Sequence, residues 1–142
     1  MSQNGLEQFG RDLRGYLKTL PREIGRAVVQ ESADNFRRQG YEDDNGAVVP
    51  WEPRKAADRR KGRTNTRQRA LLVKSGRLRR SPRIVATTAT SVTVGSSEAY
   101  AQAQQEGNDR GLKPRPFITL GKSAQERLTK RIAAQITGML SR

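Results

Sequence analysis

Apolar side chains fall at Leu6, Phe9, Leu13, Leu17 and Leu20, steps of three and four that share one helical face over residues 3–20. Pro21 interrupts this run. Because proline is tolerated in the first turn of a helix, a second helix is expected from there, through Ile24, Val28 and Phe36, to a stop at Gly40; one kinked helix is the alternative. From Tyr41 to about Arg69 neither a helical nor a strand period is present, only turn residues and a short extended piece at Ala47–Val49. The apolar run Ala70–Val73 ends at Ser75-Gly76. Arg83–Thr88 and Ser91–Gly95 are rich in β-branched residues and predict an antiparallel hairpin. Ser96 is a plausible N-cap for a short helix to Glu106 that stops at Gly107, and Pro116–Leu120 is a short apolar stretch. Finally, Ser123-Ala124-Gln125-Glu126 has capping-box spacing ahead of an apolar stripe at Leu128, Ile132, Ile136, Met139 and Leu140.

The pattern predicts an α+β fold: a small antiparallel sheet packed by N-terminal and C-terminal amphipathic helices, with a long basic loop. One domain spans 1–142, divided into an N-terminal helical segment (1–40), an extended basic loop (41–70) and a sheet with C-terminal helix (71–142). The expected core is Leu6, Phe9, Leu13, Val28, Phe36, Leu71, Leu72, Ile84, Val92, Val94, Phe117, Leu128, Ile132 and Ile136.

Composition makes that core small. Hydrophobic residues are 33% of the 142, so a monomer would be marginal and further burial in an oligomer is a natural remedy. With neither cysteine nor histidine, disulfides, the usual zinc sites and histidine acid–base catalysis are excluded. The N-terminus has no signal-peptide-like apolar core and no apolar run is long enough to span a membrane. Glu42, Asp43 and Asp44 with Asn45-Gly46 fit a turn better than a calcium loop. Glu31 and Asp34, one turn apart, read as surface carboxylates. No catalytic constellation is found, and no cofactor or metal is expected.

Charge changes the picture most. Between Arg54 and Arg83 there are 13 Lys and Arg against the single acid Asp58, which is +12 of a chain total of +14. Self-repulsion on this scale calls for a polyanion or a strongly acidic partner. Arg54, Lys55, Arg59, Arg60, Lys61, Arg63, Arg67 and Arg69 are candidates for an assembly or DNA-facing loop, with Arg77, Arg79 and Arg80 as a second basic patch. Trp51, the only tryptophan, is expected to anchor the loop where it leaves the domain. Charge alone also allows a free, sequence-nonspecific nucleic-acid-binding protein, although the basic run lacks aromatics for base stacking.

Several ordered motifs add a resemblance. They are Trp51-Glu52-Pro53, Leu71-Leu72 with Ser75-Gly76-Arg77-Leu78-Arg79, Val92-Thr93-Val94-Gly95-Ser96, Tyr100-Ala101 to Gly107, and Arg115-Pro116-Phe117. Over about residues 49–140 the chain resembles the phage virion morphogenesis family of tail-completion proteins. It departs from the family where Gln104 and Gln105 replace a frequent histidine before the terminal glycine, and where Arg54 replaces the usual leucine. The resemblance implies a non-enzymatic structural protein of the virion neck or upper tail, present in the host cytoplasm during assembly. It also implies a homo-oligomeric, hexameric ring with DNA passing through its axis. Other neck, tail-tube or connector proteins would be partners, with non-specific contact to packaged DNA and no membrane.

Overall fold

The computed structural model describes residues 2–53, 71–73 and 75–142. The first element, α1 (Gln3–Arg38), is one helix and not two: Pro21 lies inside it, buried. A proline in a helix interior removes one backbone bond and crowds the preceding turn, at about 3 kcal/mol. Tertiary packing on the helix overrides that penalty. Four residues on, a Cβ at Gly25 would stand 2.8 Å from side-chain atoms of both Ile84 and Val92, so the later hairpin lies directly on the helix there.

Ser2 caps the helix start by accepting the Gly5 N–H at 3.1 Å. The helix ends at Arg38 and not at Gly40, because Gln39 takes the left-handed C-cap conformation (φ 56°). Gly40 is instead the first residue of β1 (Gly40–Glu42), antiparallel to β2 (Val48–Pro50) with Tyr41 opposite Val49. A Cβ at Gly40 would come within 2.5 Å of the Val49 carbonyl oxygen, so only glycine permits this pairing. The turn between the strands is built by Asp43, whose Oδ1 accepts the N–H groups of Asn45 and Ala47, both at 2.9 Å. Thus residues 41–50, expected to open the extended loop, form a hairpin.

The second hairpin follows its predicted place. A helical turn, α2 (Arg77–Arg80), precedes β3 (Arg83–Thr87), which pairs antiparallel with β4 (Val92–Gly95) through an irregularity between Ile84 and Ala86. The next helix, α3 (Ala101–Glu106), is shorter than expected. Ser96 does not cap it. Its hydroxyl bonds to Ser81 Oγ at 2.5 Å and accepts the Glu98 N–H at 3.2 Å.

The last helix, α4 (Lys122–Leu140), runs antiparallel along α1: Arg127 lies 3.7 Å from Glu31, Arg131 3.9 Å from Glu23 and Arg142 4.0 Å from Asp12. The expected capping box does not form, for Glu42 takes its place from across the fold. Glu42 Oε1 accepts the Ser123 N–H at 2.6 Å, tying β1 to the start of α4.

The architecture is therefore α+β, with two small antiparallel sheets and helices at both ends of the chain. The main core sits at the C-terminal end of α1 and consists of Phe36, Trp51, Leu78, Ala101 and Phe117, with Leu71, Leu72 and Val73 packed against it. Phe117 and Leu128 are buried as expected, whereas Leu6 is 61% exposed. Phe9, Leu13, Val28, Ile84, Val92, Val94, Ile132 and Ile136 are half-buried. Among the described residues no helix is long and apolar enough to cross a membrane.

Glu42 offers a test of how this fold is tied. Its carboxyl is held below the usual carboxylate range, first by hydrogen bonds from Ser123 and then by the Arg38 guanidinium. A depressed folded pKa contributes stability above the ordinary value of 4.5 and loses it as pH falls through the folded value. Glu42→Gln should therefore destabilise by about 1–2 kcal/mol at pH 7. Urea midpoints should show the gap between wild type and variant closing as pH falls toward 3.

Candidate functional site

Trp51 is buried in the core, and its fixation is polar as well as apolar. The side chain is 4% exposed, meets the Phe36 ring edge-on at 5.4 Å, and donates its indole Nε1–H to the Pro116 carbonyl at 2.8 Å. Arg115 reinforces the same junction by donating from Nε to the Glu52 carbonyl at 2.9 Å and from Nη2 to that of Pro53 at 3.3 Å.

The chain on the far side of the basic segment returns to the same place. Gln39 accepts the Trp51 N–H on its backbone carbonyl at 2.9 Å. Its side-chain amide takes the other bracket: Oε1 accepts the Leu71 N–H, and Nε2 donates to the Leu71 carbonyl at 3.2 Å and to that of Phe36 at 2.8 Å. One residue in the left-handed conformation thus holds both residues that flank 52–70. Arg54, Lys55, Arg59, Arg60, Lys61, Arg63, Arg67 and Arg69 lie outside the described residues. What is fixed is the point on the core to which that charge is attached.

The second patch divides. Leu78 is buried in the core between its arginines, so the motif is a helical turn clamped by leucine with Arg77, Arg79 and Arg80 exposed. Arg77 pairs with Glu98 at 3.3 Å. Arg80 folds back over the Gly76 turn, donating weakly to the Ser75 carbonyl at 3.5 Å. Arg79 is exposed and has no ion-pair or hydrogen-bond partner among the described residues.

A cleft of about 300 Å³ lies between α1 and α4, lined by Arg26, Glu31, Asp34, Arg127 and Arg131 among others. Glu31 is not a surface carboxylate. It is 2% exposed and bound by Arg38 at 2.9 Å and Arg127 at 3.7 Å, while Asp34 is paired with Arg37 at 2.6 Å. Both carboxylates serve as ion-pair acceptors.

Four of the five motifs converge on one spot. Trp51, Leu78, Ala101 and Phe117 come from four separate motifs and, with Phe36, form the main core. Gln105, one of the two departures before Gly107, takes a structural part: Oε1 accepts the N–H groups of Phe117 and Ile118 at 2.9 and 3.0 Å, and Nε2 donates to the Ile118 carbonyl at 2.9 Å. Sequence reasoning missed Gln39, Gln105 and Arg115 as clamps. For Gln39 the one available signal was its place just after an apolar helical stripe.

The phage virion morphogenesis family matches residues 3–137, nearly the whole chain. No curated protein and no solved structure matches it.

The clamp can be tested separately from assembly. Gln39→Ala removes the side-chain bonds to Leu71 and Phe36, and should cost about 1–3 kcal/mol in chemical unfolding. The buried Trp51 should keep its native fluorescence before the transition, because its own bond to Gln39 runs through the backbone.

Proposed function

Because this chain belongs to the phage virion morphogenesis family, we propose that it is a non-enzymatic structural protein of the virion neck or upper tail. In this reading it closes into a ring, six-fold as the family resemblance implies, during tail completion and head–tail joining around the DNA channel. The observation that carries the ring is the uncovered apolar end of the long helix. At 36 residues and about 1.5 Å per residue, α1 is roughly 54 Å long. A compact chain of this length has a diameter of only about 37 Å, from the usual scaling of the radius of gyration. The helix therefore outruns its own domain. Leu6 and Leu17 on it are 61% and 45% exposed, and Leu140, at the end of α4 that reaches Asp12, is 49% exposed.

Such leucines are covered most simply by a neighbouring copy. A heterologous contact, in which the α1 end of one subunit packs on a different surface of the next, generates a ring when the rotation closes. The basic segment suits the same role. Its flanking residues are fixed to Gln39, which makes it an internal element presented from a folded core, able to face DNA or to dock on acidic tail or connector surfaces.

Leu6→Glu combined with Leu17→Glu should leave the fold intact while weakening self-association at least tenfold. Sedimentation velocity and electron micrographs would show rings for the wild type and monomers for the variant. A wild type that stays monomeric, or a variant that assembles normally, overturns the ring. Deleting residues 55–68 tests the segment in particle assembly. Unjoined heads and tails are expected, and normal joining would remove the segment from the assembly machinery.

A further inference from the structure

We propose that α1 carries a nucleic-acid-binding ridge, formed by Arg14, Lys18, Arg22 and Arg26, separate from the basic segment. These four residues succeed one another at steps of four, so they lie along one ridge of the helix. All four are exposed, and none has an ion pair or hydrogen bond with any other described residue. Arg14 lies against Gly10, 3.4 Å from where a Cβ would be, and the space beside Gly15 is open. At about 1.5 Å of rise per residue the charges are spaced about 6 Å apart over roughly 18 Å.

The acids of the same helix are engaged elsewhere. Asp12 meets Arg142 at 4.0 Å. Glu23 meets Arg131 at 3.9 Å and accepts the Tyr16 hydroxyl at 3.2 Å, although it adjoins Arg22 in sequence. Glu31 is held by Arg38 and Arg127, and Asp34 by Arg37. Glu7, the remaining acid of α1, lies two turns before Arg14. Charge on α1 is therefore segregated: most acids are used by basic side chains of the C-terminal segment and of the helix's own last turn, and the ridge keeps only cations.

Three consecutive like-charge pairs at four-residue spacing destabilise a helix, and a merely solvated face would relieve them with interspersed acids. A polyanion relieves them from outside. Duplex DNA presents one negative charge per about 1.7 Å of axis, dense enough to offer a phosphate to each cation of a straight ridge. The ridge carries no aromatic or aliphatic side chain, and such anchors dominate protein–protein binding energy. Phosphate contact without base readout fits best, so the binding is sequence-nonspecific.

The inference rests on the charge pattern and not on the ring. The quadruple variant Arg14→Gln/Lys18→Gln/Arg22→Gln/Arg26→Gln of the full chain is compared with wild type for binding a fluorescent 30-base-pair duplex across a salt series. A control, Arg110→Gln/Lys113→Gln/Lys122→Gln/Lys130→Gln, removes the same net charge elsewhere. The slope of log K against log salt should fall by about 3–4 for the ridge variant, near 0.9 for each phosphate no longer neutralised, and by less than about 1 for the control. Equal slopes for the two variants overturn the ridge. So does a ridge variant that keeps DNA binding but no longer binds poly-glutamate, since the partner would then be an acidic protein. Sedimentation of the same variant reports ring formation independently, so loss of DNA affinity with rings intact, or the reverse, separates the two proposals.

Discussion

The contact of Trp51 with Phe36 is the constraint on which the rest of the chain depends. Phe36 closes the long helix, Trp51 follows the first hairpin, and Phe117 packs on Phe36 with ring centres 5.7 Å apart. Leu78 and Ala101 complete the cluster, so five distant segments meet in a handful of side chains. Truncating one large aromatic in a core costs about 3–5 kcal/mol, against a total stability of about 5–15 kcal/mol for a typical domain. A chain with 33% hydrophobic residues has little further apolar material from which to build a second core of that size. The indole bond to the Pro116 carbonyl matters for the same reason, because it converts a packing contact into one of fixed orientation.

Away from that core, helix α1 is aligned by weaker means. The ion pairs toward α4 and the residue just beyond it are long, 3.7–4.0 Å, and their arginines are more than half exposed. Pairs of this kind contribute little net stability. The two helices are held by burial of Ala124 and Leu128 and by the Glu42 cap, while the ion pairs set the register. Their larger consequence is for charge. By engaging the acids of α1, they leave Arg14, Lys18, Arg22 and Arg26 without an ion-pair partner among the described residues.

The parts legible in the sequence were those governed by local pattern. The β-branched runs on either side of residues 88–91 marked the second hairpin, and the apolar stripe from Leu128 marked α4. The parts that were not legible are governed by contacts far apart in sequence. Pro21 continues its helix because Ile84 and Val92 pack beside Gly25, some sixty residues later. Ser123 looked like a cap, but the acceptor came from Glu42, 81 residues earlier. Gln39 carries little signal until Trp51 and Leu71 are seen to bracket it. The basic ridge was overlooked for a different reason. The neighbouring acids masked it in the sequence, and only their ion pairs reveal which side of the helix they serve.

Fixing both flanks of the basic segment at Gln39 has an entropic consequence. The cost of bringing together the ends of a long loop grows only slowly with its length, but it has to be met once. Here the folded core meets it before any partner arrives, through bonds to Trp51 and Leu71. A terminal arm of the same charge would have no such fixed origin. The eight cations between those flanks belong to the same chain as this small core, and repulsion among them opposes the isolated chain's stability. A partner that binds only the folded form returns that stability by mass action. In the proposed assembly, the same charge that opposes folding of a free subunit would favour it beside an acidic neighbour, and the stability of the chain would be coupled to assembly.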